Sequence, residues 1–269
     1  MKKTFVVSAI ILCASVIPAL SYAGIEGDAY RTSYICNDLK GNRRWTATVE
    51  IRHKEGDIYN ITEKMSGFYT GFDGKISWVA TTDFERAKDE VRPFNMDQRI
   101  CDDSGKPIAI SKQEFDYKNN TVTCTYEDLV KNTVSEKRFK FSGNIINRML
   151  QGLCGQKFIE AGQTSKNIQV ISPEPALYNI QLKMVGEEDV EIGGRMRKAY
   201  KLCFDPMLGV LNFVKIFLPK SFVWHSSEPV FEWLKYRGLE SSVSSPRVEI
   251  ISLEKGVTTS IPAPQGPAS

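Results

Sequence analysis

The sequence predicts a mainly β protein with a few helices, built as an antiparallel meander. Two observations lead there. Short runs alternate apolar and polar residues and are separated by Gly, Asn and Asp turns, the mark of half-buried strands joined by hairpins. Two apolar stretches with helical spacing, near residues 145–153 and 207–218, interrupt that pattern. The chain of 269 residues is long enough for a sizeable core.

The first segment has its own signature. Lys2 and Lys3 precede an almost uncharged apolar stretch from Thr4 to Leu20, and Ser21-Tyr22-Ala23 places small residues at −3 and −1 of a cut between Ala23 and Gly24. This is the pattern of a cleaved secretory signal over residues 1–23. Export to the periplasm, or secretion, is expected. No later segment is long and apolar enough to span a bilayer as a helix, so no transmembrane anchor is expected after processing.

Strands follow in order. Trp45 to Ile51 alternates, Lys54-Glu55-Gly56-Asp57 turns, and Ile58 to Thr62 returns. Ile76 to Ala80 comes next, then a run ending near Cys101, a turn at 103–107, and a run from Ile108 to Tyr117. Lys118-Asn119-Asn120 turns into Thr121 to Tyr126, since Asn and Gly tolerate positive φ. Ile145, Ile146, Met149, Leu150 and Leu153 predict a helix capped by Asn144 and ended by Gly152 or Gly155. Strands resume at Ile168 to Ile171 and Tyr178 to Met184. Val190 to Ile192, Gly193-Gly194 and Met196 to Cys203 predict a tight hairpin. Asp205-Pro206 has the form of a helix start, with Met207 to Leu218 as the helix and Pro219 as its stop. Phe222 to Trp224, Trp233 to Tyr236 and Val248 to Leu253 are the last strands. One domain over 24–255 and a disordered tail over 256–269 are expected.

The order of these elements and the final third of the chain resemble the bacterial family catalogued as domain of unknown function 3108. The residues that carry the likeness are Val190 to Leu202, Phe217-Leu218-Pro219-Lys220, Trp224, Pro229, Trp233-Leu234-Lys235-Tyr236-Arg237-Gly238-Leu239-Glu240 and Val248 to Leu253. Arg237 departs from the acidic residue expected there. The resemblance implies an exported domain whose curved antiparallel sheet, or incomplete β-barrel, holds one or two helices on its concave side. Such a fold is similar to the lipoprotein-carrier half-barrels that can hold acyl chains. The resemblance brings no reaction and no functional residue.

Chemistry-bearing motifs are sparse. The formal net charge of +3 includes two lysines of the signal, so the processed chain is near neutral and offers no electrostatic case for nucleic acid. His53 and His225 are the two histidines, too few for the usual zinc ligand sets, and both read as turn or surface residues. Cys36, Cys101, Cys124, Cys154 and Cys203 lie beyond the signal. They are an odd number with wide spacing and no C-x-x-C, so disulfides and buried thiols are both open. Ser252-Leu253-Glu254-Lys255 spells S-x-x-K at a strand end, where the catalytic version needs a helical face. Glu187-Glu188-Asp189 is a solvated charge cluster. Trp45, Trp78, Trp224 and Trp233 are expected in the core. No catalytic residue, metal site or cofactor is expected.

The residues singled out for an apolar ligand are Met207, Leu208, Leu211, Phe213, Val214 and Phe217, with Trp224 beside them. Their bland alternative is a plain core helix. The leading reading is a non-catalytic periplasmic binding or carrier domain for a lipid, a lipidated protein or another apolar ligand. The rival is a structural or protein-interaction domain of the envelope, without a small ligand, that pairs with an envelope protein through an open sheet edge.

Overall fold

In a computed structural model, residues 29–207, 219–242 and 244–253 are described. The strands are β1 (Ala29–Asp38), β2 (Arg43–Glu55), β3 (Ile58–Phe68), β4 (Lys75–Arg86), β5 (Val91–Pro93), β6 (Asn95–Asp102), β7 (Pro107–Asp116) and β8 (Thr121–Asp128). They continue with β9 (Thr133–Lys140), β10 (Ile145–Asn147), β11 (Ser165–Ile171), β12 (Leu177–Ile192), β13 (Arg195–Pro206), β14 (Ser221–Ser226), β15 (Trp233–Leu239) and β16 (Arg247–Leu253). A 3-10 turn (Arg148–Leu150) and helix α1 (Gln151–Glu160) separate β10 from β11.

All sixteen strands belong to one curved, unclosed sheet, ordered β10-β11-β12-β13-β14-β15-β16-β1-β2-β3-β4-β6-β7-β8-β9, with β5 pairing β4 off this path. Every pairing is antiparallel except β10 with β11. The meander expected from alternation is therefore observed, with longer strands. The Gly193-Gly194 hairpin is present too, and both glycines carry positive φ (58° and 80°), which a two-residue turn of this hand requires. Among the described residues the edge strands β10 and β9 are not paired with each other, so the sheet stays open. Ser111 Oγ and Gln113 Nε2 on β7 donate to the carbonyls of Pro173 and Ser172, tying the β11–β12 loop to the far half of the sheet.

The helix lies on the concave side, as the fold class predicts, but not where the apolar spacing placed its start. Ile145–Asn147 is strand β10, and Asn147 rather than Asn144 is the cap, its Oδ1 accepting from Met149 N at 3.1 Å. Gly152 and Gly155 lie inside α1 instead of ending it. Residues 145–147 are all buried, so a buried strand and a buried helix look alike over three residues; pairing with β11 decides. Eight of the ten residues of α1 are buried, so it has no wet face. Leu153, Phe158 and Ile159 pack in one cluster with Ile51, Ile61, Phe84, Leu182, Leu202 and Tyr236 from the strands. The four tryptophans are buried, as expected.

Asp205 and Pro206, expected to begin a helix, end strand β13; Asp205 pairs with Lys183 at 2.8 Å across to β12. Pro206 is tolerated because it falls at the strand's last position. The helix predicted over Met207 to Leu218 falls outside the described residues except at Met207, as do the signal and the tail beyond Leu253. No disulfide joins any of the described cysteines. Burial pushes the thiols of Cys124 and Cys154 up to about 12 and about 11, and that of Cys36 higher, the state of small core residues. No helix among the described residues is long and apolar enough to cross a membrane.

Candidate functional site

Of the residues singled out from the sequence, Met207 and Trp224 are described, one just after β13 and the other on β14. Met207 is exposed at the end of β13, and its backbone N–H donates to Asn179 O at 2.8 Å. Leu208, Leu211, Phe213, Val214 and Phe217 lie outside the described residues. Trp224 sits on β14 between Lys201 of β13 and Lys235 of β15. It faces the convex side and clusters with Val190, Ile192, Ala199 and Leu234. Lys201 Nζ lies 5.1 Å and Lys235 Nζ 5.8 Å from its ring centroid. Its indole N–H donates to Glu188 at 2.7 Å. Burial raises the Glu188 carboxyl, but that hydrogen bond and Lys201 outweigh it, and the group ends below the usual carboxylate range. Phe222, two residues earlier on the same face, carries Lys201 over its ring at 4.9 Å. Aromatic rings backed by lysines thus adjoin one end of the apolar connection.

His225, expected at a turn or surface, is fully buried. It is the next residue on β14 after Trp224, so alternation turns it to the concave face, against α1. Its Nδ1 meets Phe231 O at 2.8 Å, and Nε2 faces Gly155 with no hydrogen-bond partner. A Cβ at position 155 would lie 2.6 Å from that nitrogen, so the glycine inside α1 makes room for the imidazole. Desolvation drives the histidine down to about 4, against the pull of the Phe231 carbonyl, and keeps it neutral. His53 is exposed at the end of β2, bonded to Gly56 O at 2.8 Å, as expected of a turn residue.

Two further charged clusters were missed from the sequence. Glu63 and Arg148 form an ion pair at 3.1 Å with each side chain 2% exposed. The Trp78 indole N–H also donates to Glu63, and the Arg148 guanidinium lies 4.9 Å over the Trp78 ring. The signal was available: Ile61, Glu63 and Met65 share one phase of β3, and the other two are core residues. Arg148 lay hidden in an apolar run read as plain helix.

Glu240, in the W-L-K-Y-R-G-L-E run, is the second. It is 1% exposed. It accepts from Arg44 Nε and Nη2 at 2.6 and 2.8 Å, Trp45 Nε1 at 3.1 Å and Thr70 N at 2.9 Å, and also from the Thr70 hydroxyl. Tyr69 Oη donates to its carbonyl at 3.3 Å. One carboxylate therefore locks the β15–β16 connection to the start of β2 and to the β3–β4 connection. Within that run Tyr236 Oη donates to Leu239 O at 2.7 Å, and Gly238 leaves room for the ring's hydroxyl.

Glu63 neutralises the buried Arg148 and Glu240 the partly exposed Arg44, and His225 is neutral against a carbonyl. Ser252 lies in β16 with its side chain in the strand's buried phase, and Lys255 lies outside the described residues. Among the described residues no group of three or more His, Cys, Asp or Glu side chains is placed to hold a metal ion.

The fold and these clusters define a large, open, barrel-like antiparallel sheet with an internal helix. Among solved structures, the crystal structure of a β-barrel-like protein of domain of unknown function 1849 from Brucella abortus superposes with a TM-score of 0.50. The match is 7% identical and covers 87% of this chain and 98% of that one. The hypothetical lipoprotein YmcC from Escherichia coli (K12) aligns over 89% of this chain and 86% of its own, at 9% identity, but with a TM-score of 0.29 that is too low to bear on the fold. The first likeness is one of fold. No family model and no curated protein matches the chain.

Proposed function

We propose that this chain is an exported, non-catalytic domain of the bacterial periplasm that binds an apolar ligand, a lipid or a lipidated protein. The signal-like residues 1–23 and the likeness of the final third to the domain of unknown function 3108 family support export and the bacterial envelope. The observation that supports ligand binding is the apolar cluster of Trp224 with Val190, Ile192, Ala199 and Leu234. In the sequence, the most apolar run beyond the signal, Met207 to Leu218, stands between β13 and β14, and β14 carries Phe222 and Trp224. The concave face of the sheet is filled by α1. The ligand is therefore assigned to Met207, Leu208, Leu211, Phe213, Val214 and Phe217 with the Trp224 face, rather than to the sheet's interior.

Native mass spectrometry and solvent extraction of the purified protein test this. A retained apolar species, lost in Leu211→Ser combined with Phe217→Ser, is the expected result. A ligand-free protein that does not respond to added lipid overturns it.

One observation favours the rival reading of an interaction domain. β9 is an open edge, paired only with β8, and seven of its eight residues are exposed. Glu136, Lys137, Arg138 and Lys140 guard that edge, so a partner strand would need complementary charge. A co-purifying protein whose hydrogen exchange protection maps to β9 would support it.

A further inference from the structure

Antiparallel pairing puts the β1–β2, β3–β4, β6–β7 and β8–β9 hairpins at one end of the sheet. The registers place the end of β13 there as well. Ten large apolar side chains are exposed among the described residues, and six of them lie at this end: Leu39, Phe68, Leu129, Val130, Val134 and Met207. Val130 and Val134 are the most exposed of all, at 75% and 68%.

The tips that carry them are built alike. Asp38-Leu39-Lys40-Gly41-Asn42 and Asp128-Leu129-Val130-Lys131-Asn132 each begin with an aspartate that folds the turn back on itself. Asp38 accepts from the backbone N–H of Lys40 and Asn42, both at 2.9 Å, and Asp128 from those of Val130 and Lys131 at 3.1 and 2.9 Å. The backbone polar groups are thereby satisfied within the turn, and the leucine and valine project outward. Each apolar tip has an exposed lysine beside it: Lys40 next to Leu39, Lys131 next to Val130 and paired with Asp128 at 2.8 Å, and Lys75 with its ammonium 5.8 Å over the Phe68 ring. The Glu240 brace described above holds two of these connections in fixed relation.

We propose that this end docks on the surface of a phospholipid bilayer, with the hairpin tips in the interfacial region and the lysines at the level of anionic headgroups. The spacing favours a bilayer over a protein partner. Leu39 and Val130 are separated by six strand steps, ~29 Å along the sheet at ~4.8 Å per strand. Apolar tips set that far apart form no continuous patch for a protein core, but a fluid surface accommodates each one separately. Apolar side chains at the tip with lysines just behind them are the arrangement an interface rewards. The inference stands on the hairpins alone and does not need the ligand reading.

Co-sedimentation of the purified protein with phosphatidylcholine vesicles, with and without phosphatidylglycerol, tests it. Binding is expected to the vesicles that contain phosphatidylglycerol and to weaken as salt is raised. Leu39→Ser combined with Val130→Ser should lower the partition coefficient at least about tenfold, at an unchanged circular dichroism spectrum and urea midpoint. An environment-sensitive label on Val130→Cys should shift to the blue with vesicles. Failure of the natural protein to sediment, or equal sedimentation of the double variant, overturns the proposal. Loss of sedimentation only in Leu211→Ser with Phe217→Ser also overturns it, while leaving the ligand reading intact.

Discussion

Replacing Arg148 by methionine tests the buried Glu63–Arg148–Trp78 cluster most sharply. In the natural protein the guanidinium lies 3.1 Å from Glu63, with both side chains 2% exposed. Removing it leaves a carboxylate in the interior with the Trp78 N–H as its remaining partner in the cluster. Breaking one side of such a pair costs about 3–5 kcal/mol, because the surviving charge stays desolvated. Loss of the cation over Trp78 adds to that by about 1 kcal/mol. For a chain of this size ~1 kcal/mol moves the midpoint by about 2–4 °C, so Arg148→Met should melt roughly 10–20 °C lower. The matching double variant, Glu63→Leu with Arg148→Met, removes both charges and should recover most of the loss, since apolar replacement of a buried pair is often neutral. Urea unfolding followed by tryptophan fluorescence and by circular dichroism measures both. A single variant that loses less than about 1 kcal/mol, or a double variant no more stable than the single, would refute the claim that desolvated charge sets the cost.

Further outcomes follow from the same interior. His225 is held at about 4 when folded and has the ordinary 6.5 when unfolded, so the unfolded chain takes up the proton first. Its contribution is complete above pH 6.5, falls by about 3 kcal/mol as pH drops to 4, and is level below that. The natural protein and His225→Gln, compared by urea titration at several pH values, should differ in slope within that window. Equal slopes would count against it. Gly155→Ala should destabilise by about 1–2 kcal/mol, the clash with His225 outweighing the gain in helix propensity; a higher urea midpoint would show that the imidazole can yield. Glu240→Gln should cost about 2 kcal/mol by removing the charge that Arg44 and Trp45 share, and hydrogen exchange should quicken first in residues 69–72 and 240–246. With iodoacetamide on the folded protein, the half-buried Cys101 should react before Cys36, Cys124 and Cys154; early modification of Cys154 would contradict its burial.

Local chemistry determined much of this molecule. The alternation in β2, β3 and β4, the Gly193-Gly194 turn and the burial of the tryptophans follow from the pleat's two-residue period and from positive φ, both short-range properties of a few consecutive residues. Glu63 was legible in principle, since it shares the inward phase of Ile61 and Met65. Other features depend on contacts between residues far apart in the chain. Ile145–Asn147 becomes a strand because β11 offers it hydrogen bonds. Asp205-Pro206 stays extended because β12 pairs with it, although its dipeptide has the form of a helix start. His225 is buried and neutral because α1, some 70 positions away, presents a glycine to it. Glu240 finds Arg44 across almost the whole chain. Periodicity specifies which face of an element is dry; which element covers that face, and which charge meets which, is decided by how one continuous sheet curls around α1.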